Sequence, residues 1–158
     1  MKISNGVKSN IFAKLNGENL KIAVVKARFN QQITDKLTQG ALAVLKQTGV
    51  KSANISVQET PGSFEIPLVC QKLALTKKYH GIITIGAVIK GVTAHFEYIS
   101  QAAINGVMEV MLKENLPIAL GILTAYDLAQ AKERSRNDNN NKGYEAALAL
   151  VETLNNFK

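Results

Sequence analysis

The densest chemistry in this chain lies in the string GAVIKGVTAHFEY, residues 86–98. Gly86 and Gly91 make it resemble a phosphate loop, but Val92-Thr93 stand where a Walker motif requires Lys-Ser/Thr. A glycine-bearing turn that enters a helix still offers amide donors to an anion, and Thr93 adds a hydroxyl. His95 follows at about the start of that helix. A histidine there can exchange protons in either direction near neutrality, or it can simply cap its helix.

Other turns carry recognition chemistry. Arg28-Phe29 follows a buried strand, where the ring can lie against a planar ligand or staple the next helix. Thr60-Pro61-Gly62-Ser63-Phe64-Glu65 sets a rigid Pro-Gly turn before a helix start, so free backbone N–H groups and a carboxylate face one crevice. That set suits a polyol or a heterocycle with N–H groups better than a phosphate, which Glu65 would repel. Equally, Glu65 can do no more than complement the helix dipole. Farther on, Glu133-Arg134 and Lys142-Gly143 bracket the loop SerArgAsnAspAsnAsnAsn. Lys142 opens the last helix, where the macrodipole disfavours a cation, so it either meets an anion or is a solvated surface lysine. Cys70 shares an apolar helix face with Ile66, Leu73 and Ala74 and reads as a core thiol. His80 and His95 are isolated and the acidic residues do not pair at ligand intervals, so no metal site is expected.

These turns need elements to position them. Lys21–Ala27, Asn54–Gln58, Gly81–Val88 and Pro117–Thr124 read as strands. The third is the most continuously apolar, as expected of a strand buried on both faces. Helical patterns fall between them. The first is capped by Asn30 and carries Ile33, Leu37, Ala41, Val44 and Leu45 on one face; the second runs through Ile66, Val69, Leu73 and Ala74. The rest span about Phe96 to Glu114, Leu128–Arg134, and Gly143 to about Asn155. Strict alternation predicts an α/β fold with a parallel sheet covered on both faces by helices, in which ligands sit outside the carboxyl ends of the strands.

The 158 residues, 46% of them hydrophobic, are enough for one domain spanning 1–158 that needs no disulfide or metal to make a core. No apolar run reaches the ~18 residues of a membrane span, and the polar N-terminus does not read as a signal peptide, which makes a cytoplasmic protein the expectation. The net charge of +7 raises the question of nucleic acid. The nineteen basic residues are scattered, with Lys77-Lys78 the longest run, and no nucleic-acid motif accompanies them. Neither nucleic acid nor membrane is expected as a partner; scattered anion sites fit better.

Taken in order, ArgPheAsn (28–30), ProGlySerPheGluIlePro (61–67), GAVIKGVTAHFEY (86–98), GILT (121–124), GlnAla with GluArg (130–134) and AsnLysGly (141–143) resemble the 6,7-dimethyl-8-ribityllumazine synthase family from about Lys21 to the C-terminus. The resemblance implies a flavodoxin-like three-layer α/β/α sandwich on a parallel four-stranded sheet, assembled as pentamers or sixty-subunit shells with active sites between subunits. Residues 1–20 would form an irregular segment that can pair with a neighbouring subunit. Pentamer-only members often carry an insertion between the positions of Arg134 and Lys142, and its absence here favours the shell. The implied reaction, in riboflavin biosynthesis, condenses 5-amino-6-(D-ribitylamino)uracil with 3,4-dihydroxy-2-butanone 4-phosphate, releasing phosphate and water without a cofactor. Association with a riboflavin synthase is a further partner that the family suggests.

By position, the resemblance puts Phe29 on the pyrimidine ring and Ser63, Phe64 and Glu65 on the ribityl chain and ring edges. Val88 and Ile89 line the pyrimidine site with their backbone, and Leu120 holds a place often taken by phenylalanine there. His95 becomes the proton-transfer residue. Gly91, Val92 and Thr93 bind phosphate together with Arg134 from the neighbouring subunit, with Lys142, also from the neighbour, near the pocket. The chain departs from the family at 135–140, where AlaGlyThrLysAlaGly is common and SerArgAsnAspAsnAsn stands here. A lysine thus becomes Asp138 and both glycines are lost, while Arg136 is expected to restore some positive charge. The usual ThrThrGlu or ThrThrAsp also becomes Thr124-Ala125-Tyr126. A flavin- or lumazine-binding shell with weak or no synthase activity is the alternative these departures raise, and the archaeal type of riboflavin synthase is disfavoured by the setting of His95.

Overall fold

Two strands set the frame, because nearly every residue they contain is covered on both faces. β1 (Ile22–Ala27) and β3 (Gly81–Ile89) are buried along their length, as the continuous apolar run in β3 predicts. They are central in a computed structural model that describes residues 12–157. The expectation for residues 1–20 therefore lies partly outside the described residues.

β2 (Ile55–Thr60) and β4 (Ile118–Ala125) form the edges of an all-parallel sheet in the order β2-β1-β3-β4. The helices are α1 (Gln31–Gln47), α2 (Ile66–Leu75), α3 (His95–Glu114), α4 (Leu128–Glu133) and α5 (Lys142–Asn156). Ile22, Val24, Ile83 and Ile85 face a layer containing Leu37 and Val44 of α1 and Leu150 and Val151 of α5. Ala23, Val25 and Ile82 face Ile66 and Cys70 of α2 and Val107 of α3. The parallel sheet covered on both faces is what the alternation of elements predicts, and the three-layer, flavodoxin-like sandwich is what the resemblance implies. The chain steps outward from β1 to β2 and returns across β1 to β3, so strand order reverses at the carboxyl ends of β1 and β3. Among the described residues, no helix is long and apolar enough to cross a membrane.

Local chemistry fixes the joints. His80 accepts the Lys21 amide on Nδ1 at 2.9 Å, while its own amide donates to the Lys21 carbonyl; this histidine closes the entry to β3. Asn141 caps α5, its Oδ1 accepting from the Gly143 and Tyr144 amides. α5 then lies so close to α1 that a Cβ on Gly143 would fall on the Leu37 carbonyl. Asn30, expected as a side-chain cap of α1, is not one. It takes a left-handed backbone (φ 56°) and makes no side-chain cap bond. Its Nδ2 instead donates to the Ala87 carbonyl at 2.8 Å, so its short amide ties the exit of β1 to the end of β3. Asparagine tolerates that backbone better than other side-chain-bearing residues.

Lys26 is the charged exception within β1. Its ammonium is buried against Asp35 of α1 and Glu59, its cross-strand neighbour on β2. The hydrogen bond to Asp35, supported by Glu59, raises its pKa above the ordinary 10.5 in spite of burial. A base whose pKa rises on folding stabilises the fold fully below its unfolded value, and that stabilisation disappears as pH climbs through the folded value. Lys26→Met should therefore cost about 1–2 kcal/mol at pH 7, and the gap from the parent chain should close above pH ~10.5. Urea unfolding at pH 7, 9 and 11 checks this; a gap independent of pH would mean that only the aliphatic stem matters.

Candidate active site

At the reversal point the first two strand-to-helix turns are laced together. The Arg28 amide donates to the Thr60 carbonyl at 2.8 Å and the Phe29 amide to that of Pro61 at 3.0 Å, extending the β1–β2 ladder past the strands. Phe29 is 72% exposed, so it does not staple α1; its ring is presented at the crevice instead. Across from it, a single 3₁₀ turn at Ser63–Glu65 leads into α2, with Pro67 in the first turn, where its missing N–H costs nothing.

That turn rests directly on β3. Ser63 is buried, and a Cβ built on Gly86 would stand 2.5 Å from Ser63 Oγ. Glycine at 86 thus sets the height of the whole turn above the sheet. Glu65 curls back so that its Oε2 accepts the Gly62 amide at 2.9 Å, which fixes the carboxylate at the crevice wall. The helix-end reading of Glu65 is therefore correct in part, since one oxygen satisfies the turn, yet the residue also lines the crevice.

The crevice has a volume of about 490 Å³. Phe29, Ser63, Phe64 and Glu65 line one side, and Val88, Ile89 and His95 line the other. Seven residues singled out from three separate stretches of sequence thus share one cavity. His95 is the first residue of α3 and is exposed. Ala94 holds the cap position, and among the described residues the imidazole makes no hydrogen bond. Gly91, Val92 and Thr93 are exposed just before α3, and Thr93 Oγ1 accepts from the His95 amide at 3.4 Å. Beside them Lys90 pairs with Glu97 at 2.9 Å and lies 5.6 Å over the Tyr126 ring, which in turn meets Phe96 at 6.0 Å. Glu97 holds the ammonium more basic than usual, and Lys90 makes the carboxyl more acidic. In the sequence, the only signal of this contact is that Lys90 and Glu97 flank the turn that enters α3.

The remaining residues lie elsewhere in the protomer. Leu120 is half-buried on edge strand β4, in a groove between α3 and α5 with Met111, Leu112 and Phe157. Arg134 and Lys142 meet at the α4–α5 junction, where the Lys142 amide donates to the Arg134 carbonyl at 2.8 Å. The Arg134 guanidinium contacts Glu145 at 2.8 Å. Asn141 already occupies the first amides of α5, so that helix end has no donors to spare for an anion. Arg136 does not restore free positive charge. It is held by Glu133 and Asp138, both at 3.2 Å, and the two carboxylates push its pKa upward, Glu133 most. Among the described residues no lysine or arginine lines the crevice.

Cys70 lies fully buried beneath this wall, as its apolar helix face implied; desolvation pushes its thiol up to about 12.

A family model described as 6,7-dimethyl-8-ribityllumazine synthase matches residues 19–158. A 6,7-dimethyl-8-ribityllumazine synthase from Desulfovibrio desulfuricans is 45% identical over 144 residues, 91% of this chain and 92% of that protein. One from Clostridium kluyveri is 43% identical over 142 residues, 90% of this chain and 92% of its own length.

The contact between Gly86 and Ser63 yields a direct test. Gly86→Ala should lower stability by about 1–3 kcal/mol through overpacking, and adding Ser63→Ala, which removes the opposing hydroxyl, should recover most of it in urea unfolding. A double variant as unstable as the single one would show that Ser63 is not what demands glycine.

Proposed function

The chain belongs to the 6,7-dimethyl-8-ribityllumazine synthase family, and from that premise we propose that it condenses 5-amino-6-(D-ribitylamino)uracil with 3,4-dihydroxy-2-butanone 4-phosphate. It is then a transferase of riboflavin biosynthesis, acting in the cytoplasm. The observation that carries the reading is the composition of the crevice: an exposed aromatic ring, a fixed carboxylate and an imidazole converge there without a cation. Such a site can hold a planar, hydrogen-bonding heterocycle and move protons, and it needs help to hold a phosphate.

In this reading Phe29 stacks on the pyrimidine, and Val88 and Ile89 follow its edge with their backbone. Ser63, Phe64 and Glu65 take the ring edge and the ribityl hydroxyls. The amine of the uracil attacks the ketone and water leaves to give an imine; phosphate is then eliminated and ring closure releases a second water. His95 stands where it can carry protons between these steps. Amides of Gly91, Val92 and Thr93 at the start of α3 receive the phosphate, and Arg134 supplies the cation from a neighbouring copy, with Lys142 beside it. Leu120 of a neighbour closes the pyrimidine end. The working unit is accordingly an oligomer, a pentamer or a sixty-subunit shell. Much of the rate comes from holding two substrates in register, so general acid–base chemistry contributes only part of it.

Mixing the purified protein with both substrates should produce the lumazine chromophore, with one phosphate released per product; no product above the uncatalysed background would refute the reading. His95→Ala should lower kcat by about 10²-fold or less. Sedimentation should show an assembly of at least five subunits, and an active, stable monomer would contradict a shared site.

A further inference from the structure

We propose that Arg136, clamped between Glu133 and Asp138, is a positioning residue that presets the anion-binding segment 134–142 in place of added positive charge. The inference rests on the synthase reading, in which Arg134 and Lys142 meet a phosphate. Nη1 and Nε of the Arg136 guanidinium each have a carboxylate partner. Nη1 donates to the two Glu133 oxygens at 3.3 and 3.2 Å, and Nε meets Asp138 Oδ2 at 3.2 Å. Its charge is thus shared between two carboxylates, and the pair of contacts ties the last residue of α4 to the middle of the loop.

The rest of the loop is braced from that tie. Asp138 Oδ1 accepts the Asn140 amide at 2.8 Å, and its carbonyl accepts the Asn141 amide at 3.1 Å. Asn141 Nδ2 donates to the Arg136 carbonyl and to the Lys36 carbonyl of α1, each at 3.0 Å. The Lys142 amide closes the ring on the Arg134 carbonyl at 2.8 Å. Arg134 thus stands between the two ends of the Arg136 tie, and Lys142 directly follows the residue that grips the Arg136 backbone. Among the described residues, none from 134 to 142 has a positive φ, so the loop keeps its path without the glycines that the family commonly places there. A segment already fixed loses less freedom when an anion arrives, and that saving appears as affinity for the anion.

Steady-state kinetics with both substrates separates position from charge. Arg136→Ala and Asp138→Lys each break the tie, one removing a cation and the other adding one. Both should raise KM for the phosphorylated four-carbon substrate by about 5-fold, with kcat and KM for the uracil little changed. Arg136→Lys, which keeps the charge but cannot bridge both carboxylates with a planar fork, should fall between Arg136→Ala and the parent. Arg136→Ala and Asp138→Ala combined should raise KM by less than the product of the two single effects, as for residues that share an interaction. A lower KM in Asp138→Lys would show that charge governs and overturn the positioning role. Unchanged KM in the variants, with the parent active, would overturn that role alone. A parent that makes no lumazine would overturn the synthase reading, and this inference with it.

Discussion

A strand covered on both faces has nowhere to keep a reactive side chain along its length, because any polar group there loses water and must find a replacement. The two exceptions in the central strands obey that rule. Thr84 in β3 donates to the Ala119 carbonyl at 2.9 Å and accepts from the Gly121 amide at 3.3 Å, and Lys26 in β1 has two carboxylates. Chemistry is thereby displaced to where the strands emerge. A parallel sheet delivers all its carboxyl ends to one edge, so turns far apart in sequence arrive side by side. The bonds of Arg28 and Phe29 to Thr60 and Pro61, and of Lys90 to Ala125, carry the regular ladder a residue or two past the strands and hold the crevice walls on the rigid sheet.

Charge is distributed on a different plan. The protein carries +7 overall, yet several cations nearest the functional turns are matched locally: Lys90 by Glu97, Arg134 by Glu145, and Arg136 by Glu133 and Asp138. Exposed pairs of this kind are individually weak and screened by salt. Their effect here is geometric, holding long side chains in one place, while the excess positive charge elsewhere acts on anions at a distance.

Much of this was legible in the sequence, for identifiable reasons. β3 announces itself because burial on both faces forces an unbroken apolar run. The last two residues of β2, Glu59 and Thr60, give no such signal, because an edge strand can carry Glu59 outward while the buried Thr60 hydroxyl finds the Gly62 carbonyl. Periodicity places Ile33, Leu37 and Val44 toward the core, but it cannot say that Asn30 turns left-handed, since capping and left-handed asparagines share the same sequence context. Strand-end topology brings Phe29, Ser63–Glu65 and His95 to one edge, whereas Val88 and the assignment of Arg134 and Lys142 to a neighbouring subunit come from the family resemblance. The distance of Leu120 from the crevice had no signal, because topology assigns a residue to an edge without saying which neighbour it will face. Arg136 illustrates the finest limit: Glu133 lies three residues before it and Asp138 two after, a spacing that permits both contacts, yet only the closed loop shows that they form together.

Cys70 is the chain's single cysteine, and it is sealed on the sheet-facing side of α2, the helix that follows the Ser63–Glu65 turn of the crevice wall. With its thiol pushed up to about 12, it carries little thiolate at neutral pH and reacts only when α2 lifts from the sheet. The protein therefore carries an internal clock. The rate at which a thiol reagent consumes Cys70 under native conditions counts how often that wall opens, and any occupant of the crevice that holds the wall shut would slow the count without touching the sulfur.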